Sequence, residues 1–345
     1  MSPRDGQKEQ RLTETDVIGW GIVGLGRIAG NEIAPAVAAA PNSTLAAVSS
    51  RDALKAREFA QRHGAAAAYD DYRALLDDPT VDAVYVATPN GLHADQVVQA
   101  AEAGKHVLCD KPIATTVADA ERAIAACEAA GVRLGVTFQT RNHEGMSDIR
   151  QLVADGELGS VRLLQIEVSP GRALPGGWRT DPSLAGAGVM NNLGVHAYDL
   201  LRHVLGAEVT EATAVVDVES GYQVDTMALA LLRFDNGALA YVNANQTVPN
   251  SRHDLTIYGT EGTVLGRNIT RPNLRGSISV LGRSGTTERQ VSTTGAFTAT
   301  VAGFAESVLH GRAPSPGGLD ALRSVELTDA LARSAHEGRT VRLGA

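Results

Sequence analysis

The 345-residue sequence is poor in cysteine: Cys109 and Cys127 are its only two, far apart and in no Cys-x-x-Cys pair. That excludes a disulfide framework and a zinc knuckle, and points to a reducing compartment, the cytoplasm. A basic excess is also missing. The formal net charge of -8 argues against a broad surface for nucleic acid or an anionic membrane, while leaving room for one local basic pocket. No stretch is apolar for long enough to span a bilayer, and residues 1–15 carry no apolar signal-peptide core, so they read as a flexible tail. The nine histidines are scattered, and His196 and His203 stand beside no carboxylate pair, so no metal site is expected. Internal repeats and low-complexity linkers are absent. What is present, 43% hydrophobic residues with 36 glycines and few aromatics, fits an alanine-rich globular enzyme, and the length implies two domains.

From residue 17 short apolar runs alternate with helical patterns. Runs at 17–23, 44–48, 81–87, 106–109 and 133–136 are β-branched or apolar and bounded by turn residues, as buried strands are. Helical spacing occupies 27–40, 53–63, 93–103 and 116–130, several of these stretches ending at Gly64, Gly104 and Gly131. Strict alternation predicts an α/β, doubly wound parallel sheet. After about residue 138 the pattern changes. One helix at 147–155 is followed by longer strands at 161–168, 209–218, 227–234 and 239–245, with turns such as Asp235-Asn236-Gly237 between them. These predict a large, mainly antiparallel sheet in an α+β domain, closed by helices at 297–309 and 319–336. The expected division is therefore a tail at 1–15, a nucleotide-binding domain at 16–138 and a substrate-binding and oligomerisation domain at 139–345.

The first strand runs into Gly24-Leu25-Gly26-Arg27-Ile28-Ala29, the Gly-x-Gly-x-x-Gly/Ala dinucleotide fingerprint in its proper context. Gly24 permits a tight turn, Gly26 lets a pyrophosphate approach the backbone, and Ala29 lets helix and strand pack closely. The amides of Arg27 and Ile28 at the helix start would face the phosphates. The second strand should end at the adenosine ribose, where an NAD site places an acidic side chain. Here stand Ser49-Ser50-Arg51. Without a carboxylate to repel it, a 2'-phosphate can be held by the Ser50 hydroxyl and the Arg51 guanidinium, which favours NADP(H) and leaves NAD(H) possible. Asp52 would either cap the following helix or turn toward the ribose.

With Thr88-Pro89-Asn90 and His93 after one strand, Asp110-Lys111-Pro112 after another, and Gly194-Val195-His196 with Asp199 further on, the sequence resembles the Gfo/Idh/MocA oxidoreductase family. Its second domain is most similar to 1,5-anhydro-D-fructose reductases, through Arg141-Asn142, Gly177-Trp178-Arg179 and Gly259-Thr260-Glu261-Gly262. The resemblance implies hydride transfer between a nicotinamide and a sugar, keto-sugar or polyol. It places Thr88, Asn90, His93 and Asp110 along the cofactor and makes Lys111 and His196 the catalytic pair. Trp178 and Arg179 would contact the cofactor or substrate, with Asn192, Arg141 and Tyr198 on the substrate side. The family usually carries glutamate where Asp110 stands and very often aspartate where Asn192 stands; an amide can bond a hydroxyl but cannot ionise. The resemblance further implies a homodimer or homotetramer. Two alternatives stay open: an NAD-linked inositol or glycoside dehydrogenase, and a non-catalytic dinucleotide-sensing regulator, against which the retention of Lys111 and His196 speaks.

Overall fold

A computed structural model of the chain describes residues 17–171, 176–283 and 285–344; the tail expected at 1–15 lies outside them. Six short strands, β1 (Ile18–Val23), β2 (Ser43–Ser49), β3 (Ala67–Tyr69), β4 (Ala83–Val86), β5 (His106–Cys109) and β6 (Leu134–Val136), form one sheet in the order β3-β2-β1-β4-β5-β6. All its pairings are parallel. The strands alternate with α1 (Ala34–Ala39), α2 (Ala53–His63), α3 (Tyr72–Leu76), α4 (His93–Glu102) and α5 (Val117–Ala130). Strand order reverses between β1 and β4, and the crevice outside the carboxyl ends at such a switch point is where these sheets take ligands.

The remaining strands are β7 (Val161–Val168), β8 (Val209–Asp217), β9 (Met227–Phe234), β10 (Leu239–Asn245), β11 (Leu255–Gly259), β12 (Gly262–Arg267), β13 (Arg275–Gly282), β14 (Gly285–Ser292) and β15 (Val341–Arg342). They build a nine-stranded sheet ordered β14-β13-β12-β11-β7-β10-β9-β8-β15. It is antiparallel except where β10 runs parallel to β7. Five helices accompany it: α6 (Glu144–Ala154), α7 (Pro182–Ala185), α8 (Val195–Leu205), α9 (Ala296–Leu309) and α10 (Gly318–Glu337). One face is buried through Leu164, Ile166, Ala230, Leu232 and Val242 against α6, α8 and α10. The other leaves Val215, Leu231 and Leu239 exposed at 70%, 60% and 42%.

The two late helices cross back onto the first sheet. Phe297, Val301 and Phe304 of α9 pack with Ile18, Trp20 and Ile22 of β1, the Trp20 and Phe304 rings lying 5.6 Å apart. Ala321 and Val325 of α10 join the cluster on its other face. No helix among the described residues is long and apolar enough to cross a membrane.

Several boundaries differ from expectation for identifiable reasons. The helix expected at 27–40 opens with a wide turn, Ala29–Ile33, in which Ala34 N–H bonds Ala29 O five residues back. Pro35 then stands in the first turn of α1, where its missing N–H costs nothing. Strand β3 was not anticipated, because Ala67-Ala68-Tyr69 is half-buried throughout and makes no apolar run. Helix α6 begins three residues early, capped by the His143 ring, which accepts from Met146 N–H at 3.2 Å.

Candidate active site

Three turns at the carboxyl ends of the first sheet and four segments of the second domain meet in one cleft. Gly26, Arg27 and Ile28 after β1, Thr88 and Asn90 after β4, and Asp110 and Lys111 after β5 form one wall. Trp178, Arg179, Asn192, His196, Gln246 and Arg271 form the other.

The β1 turn is built for a close visitor. Gly24 has φ +87°, and a Cβ there would come 2.6 Å from the Ala87 and Thr88 backbone, whereas one at Gly26 would meet nothing within 4 Å. Gly24 is thus required by the chain itself, and Gly26 leaves open space facing the cleft, as a pyrophosphate needs. At the end of β2 the Asp52 carboxylate accepts from Leu54 and Lys55 N–H at 2.9 and 3.1 Å, so it is occupied as the N-cap of α2. Ser50 and the exposed Arg51 stand beside it, outside the cleft lining.

Lys111 and His196 come from opposite domains. Lys111 Nζ reaches across to donate to the backbone carbonyl of Asn192 at 2.6 Å. Asp110 holds the turn locally, its Oδ1 accepting Lys111 N–H at 2.9 Å. Burial brings the Lys111 ammonium down to about 8, helped by the nearby Arg179 and opposed by Asp110. His196 is pushed well below the usual imidazole range by burial and by the charge of Lys111. Its Nδ1 is buried without a hydrogen-bond partner among the described residues, and Phe138 meets the ring edge-on at 6.4 Å. At neutral pH the cleft therefore holds a cationic lysine and a neutral histidine.

The helix carrying His196 follows the segment Gly186-Ala187-Gly188. It opens with a second wide turn, Met190–Gly194, in which Val195 N–H bonds Met190 O five residues back. The start is capped from afar by Asp225, whose two oxygens accept Gly188 and Met190 N–H at 2.6 and 2.8 Å. Asn192 lies in that turn and donates Nδ2–H to Gln246 Oε1 at 2.9 Å. Gln246, which sequence reasoning missed, follows β10 at the end of the polar run Asn243-Ala244-Asn245. Asn90 pins the same region, donating to Ala185 O at 3.1 Å.

Besides Gly24, Ser50 and Arg51, three more expected site residues lie outside the cleft lining. The His93 ring is buried between the carbonyls of Pro112 and Thr88, at 2.7 and 2.8 Å, and braces the two turns that carry Lys111 and Thr88. Tyr198 is fully buried under Gly194 and packs in the core of the second domain. Arg141, also expected to touch substrate, is instead 6% exposed and forks onto Asp199, with Nε to Oδ2 at 2.6 Å and a second bond to Oδ1. Its Nη2 also reaches Asp320 of α10 at 2.8 Å. Among the described residues no group of three or more His, Cys, Asp or Glu side chains could hold a metal.

Comparison with known proteins agrees with this geometry. Residues 18–138 match the oxidoreductase family with an NAD-binding Rossmann fold, and residues 146–265 match the GFO/IDH/MocA C-terminal domain. The chain is 30% identical over 329 residues to 1,5-anhydro-D-fructose reductase of Ensifer adhaerens, covering 94% of this chain and 98% of that protein. It is 33% identical over 331 residues to D-xylose 1-dehydrogenase (NADP(+)) 2 of Haloferax volcanii, covering 94% and 99%. Among solved structures, aldose-aldose oxidoreductase from Caulobacter crescentus complexed with glycerol superposes with a TM-score of 0.88 at 32% identity, over 95% of this chain and 100% of that one.

Removing Arg141 leaves Asp199 buried beside Asp320 without its hydrogen-bonded cation. Arg141→Ala should therefore lower unfolding stability by about 3–5 kcal/mol, read by urea denaturation. A stable variant that has lost only substrate affinity would return Arg141 to the binding site.

Proposed function

The chain belongs to the GFO/IDH/MocA oxidoreductase family, and from that premise we propose that it moves a hydride between NADP(H) and a sugar, keto-sugar or polyol carbon. One observation carries the reading: Lys111, on the wall that follows the dinucleotide fingerprint, meets His196 from the second domain in a single cleft. That pairing also speaks for an enzyme over a sensor that only binds nucleotide. When bound, the nicotinamide supplies the hydride acceptor or donor. Gly24 and Gly26 shape the pyrophosphate turn, with Arg27 and Ile28 at its helix start; Thr88, Asn90 and Asp110 line the way to the reacting centre, which Trp178 and Arg179 flank.

The residues of the chain handle the proton. In the oxidation direction the carbinol C–H leaves with its electron pair as hydride and the hydroxyl O–H proton passes to the Lys111 amine. In reduction the Lys111 ammonium returns a proton to the oxygen. Neutral His196 donates its one ring N–H to the same oxygen and keeps it oriented, in the alcohol and in the carbonyl alike. A pKa near 8 suits a group that works in both directions around neutrality. The free buried thiols of Cys109 and Cys127 support a reducing cytoplasmic setting.

Turnover across D-glucose, D-xylose, myo-inositol and keto-sugars, with each cofactor, tests the activity; no turnover with any pair would refute it. On cofactor choice, Asp52 is occupied by its cap, leaving Ser50 and Arg51 for a 2'-phosphate. Arg51→Ala should weaken NADPH about tenfold or more, the worth of one charge-assisted bond, with little change for NADH. Equal affinity of the parent protein for both cofactors, by fluorescence titration, would remove the preference.

For the chemistry, kcat/KM for alcohol oxidation should rise with pH as Lys111 loses its proton near 8, and for reduction it should fall over the same range. The positive nicotinamide of the oxidised cofactor would draw the oxidation limb lower. Lys111→Met should cost about a hundredfold or more in turnover and abolish that limb. Unchanged turnover in the variant, or a flat profile in the parent, excludes Lys111 from proton transfer.

The exposed apolar face of the nine-stranded sheet belongs, on this reading, to a homodimer or homotetramer. Leu231 pairs across to Tyr241 and Thr213, and Leu229 to Val215, so the apolar residues are contiguous and need a cover. Light scattering should show more than one subunit for the parent and dissociation for Leu231→Lys; a monomeric parent rules the interface out.

A further inference from the structure

We propose that Gln246 fixes the polarity of the Asn192 amide, so that the cleft selects substrates with a donating hydroxyl on the carbon next to the reacting one. This rests on the hydride-transfer reading above and asks what the site selects. Asn192 has two kinds of polar atom to offer, one acceptor and one donor group, and without restraint it would serve either.

Three observations decide which it offers. Asn192 Nδ2 donates to Gln246 Oε1 at 2.9 Å. Gln246 is itself 1% exposed and its backbone N–H donates to Thr226 O at 2.9 Å, so its side chain has little room to swing away from Asn192. Turning both amides over would keep a hydrogen bond between them, but the Asn192 NH2 would then face a cleft that already contains the cations of Lys111 and Arg179. The positive field favours oxygen toward the cleft and nitrogen toward Gln246. Asn192 Oδ1 has no protein partner among the described residues and lies on a residue that lines the cleft.

The position of that acceptor defines the substrate. Lys111 Nζ is anchored on the backbone carbonyl of the same Asn192, at 2.6 Å. The ammonium that meets the reacting oxygen and the amide oxygen that awaits a donor are therefore tethered to one residue. Two substrate oxygens that engage both must be close neighbours. A vicinal diol, or an α-hydroxy carbonyl, places them so: one oxygen exchanges its proton with Lys111 while the next donates its hydrogen to Asn192 Oδ1. Gln246 touches neither and is a positioning residue.

The experiment uses the best substrate from the sugar and polyol panel, together with its analogues in which the neighbouring hydroxyl is replaced by hydrogen or fluorine. Neither replacement can donate. The readout is the kcat/KM ratio of the hydroxy compound to each analogue, compared between parent, Gln246→Met and Gln246→Glu. Intrinsic electronic effects of the replacements then cancel. Glutamate can still accept from Asn192 Nδ2, so its ratio should stay at the parent value. In Gln246→Met the amide is free to turn, and the ratio should fall by roughly threefold to tenfold, the worth of one neutral hydrogen bond. Cofactor affinity, followed by fluorescence titration, should be unchanged in both. A parent that takes the deoxy analogue as well as the hydroxy compound overturns the proposal without any variant. So does a Gln246→Met ratio equal to that of the parent, or a Gln246→Glu ratio that falls as far as that of Gln246→Met. In each of those cases the sugar oxidoreductase reading stands, whereas absence of turnover on the whole panel removes that reading and this inference with it.

Discussion

The hydrogen bond from Lys111 Nζ to the Asn192 carbonyl is the contact on which the site depends. It joins the end of a strand in one sheet to the opening turn of a helix over the other, and it holds a cation in a place where burial already works against the charge. A helix in regular register spends each carbonyl on the amide four residues on. Here the ladder is shifted between Met190 and Val195, and wide turns of this kind recur at functional sites because they redirect backbone groups. The Asp225 carboxylate caps the start of that turn, and Gly188 leaves room for it, since a Cβ there would sit 2.1 Å from Asp225 O.

Around this contact the second domain is clamped to the first. Arg141 leaves the end of β6, forks onto Asp199 three residues beyond His196, and reaches Asp320 at the start of α10. Asp320 in turn accepts Gly317 N–H at 3.1 Å. One buried guanidinium thus fixes the helix that presents His196 relative to the strand whose neighbour presents Lys111. A buried pair of this kind adds little net stability over an apolar substitute; its contribution is the geometry it enforces.

Legibility in the sequence followed distance along the chain. The fingerprint turn, the Asp52 cap and the glycines that end α2 and α5 are decided within one or two turns of chain, and each could be read locally. The catalytic candidates Lys111 and His196 were named only through the family resemblance, because a lysine before a proline and a histidine on a helix carry no chemistry by themselves. What was missed has partners far away: Asp225 caps a turn 37 residues earlier, and Gln246 meets Asn192 across 54. The carboxylates that hold Arg141 could not be read locally, because Asp199 stands 58 residues on and Asp320 179. Strand β3 escaped for a different reason. Three half-buried residues at the sheet edge have too little apolar character to stand out from a loop.

The amide at position 192 fits the charges around it. A carboxylate there would stand close to both Lys111 and His196, and an anion raises the pKa of each neighbouring cation. The lysine would then hold its proton well above neutrality, and the histidine would regain its own. With the amide, burial and the charge of Lys111 both lower His196, and at Lys111 burial outweighs the opposing charge of Asp110. Two basic groups in one cleft are thereby driven to different states, one neutral throughout and one poised near 8. When neighbouring groups are separated in this way, the one that titrates in the working range can carry the proton while the other stays a fixed, neutral hydrogen-bond partner. Asn192 therefore has two effects at once: its backbone oxygen holds the lysine, and its uncharged side chain leaves that lysine free to give up its proton.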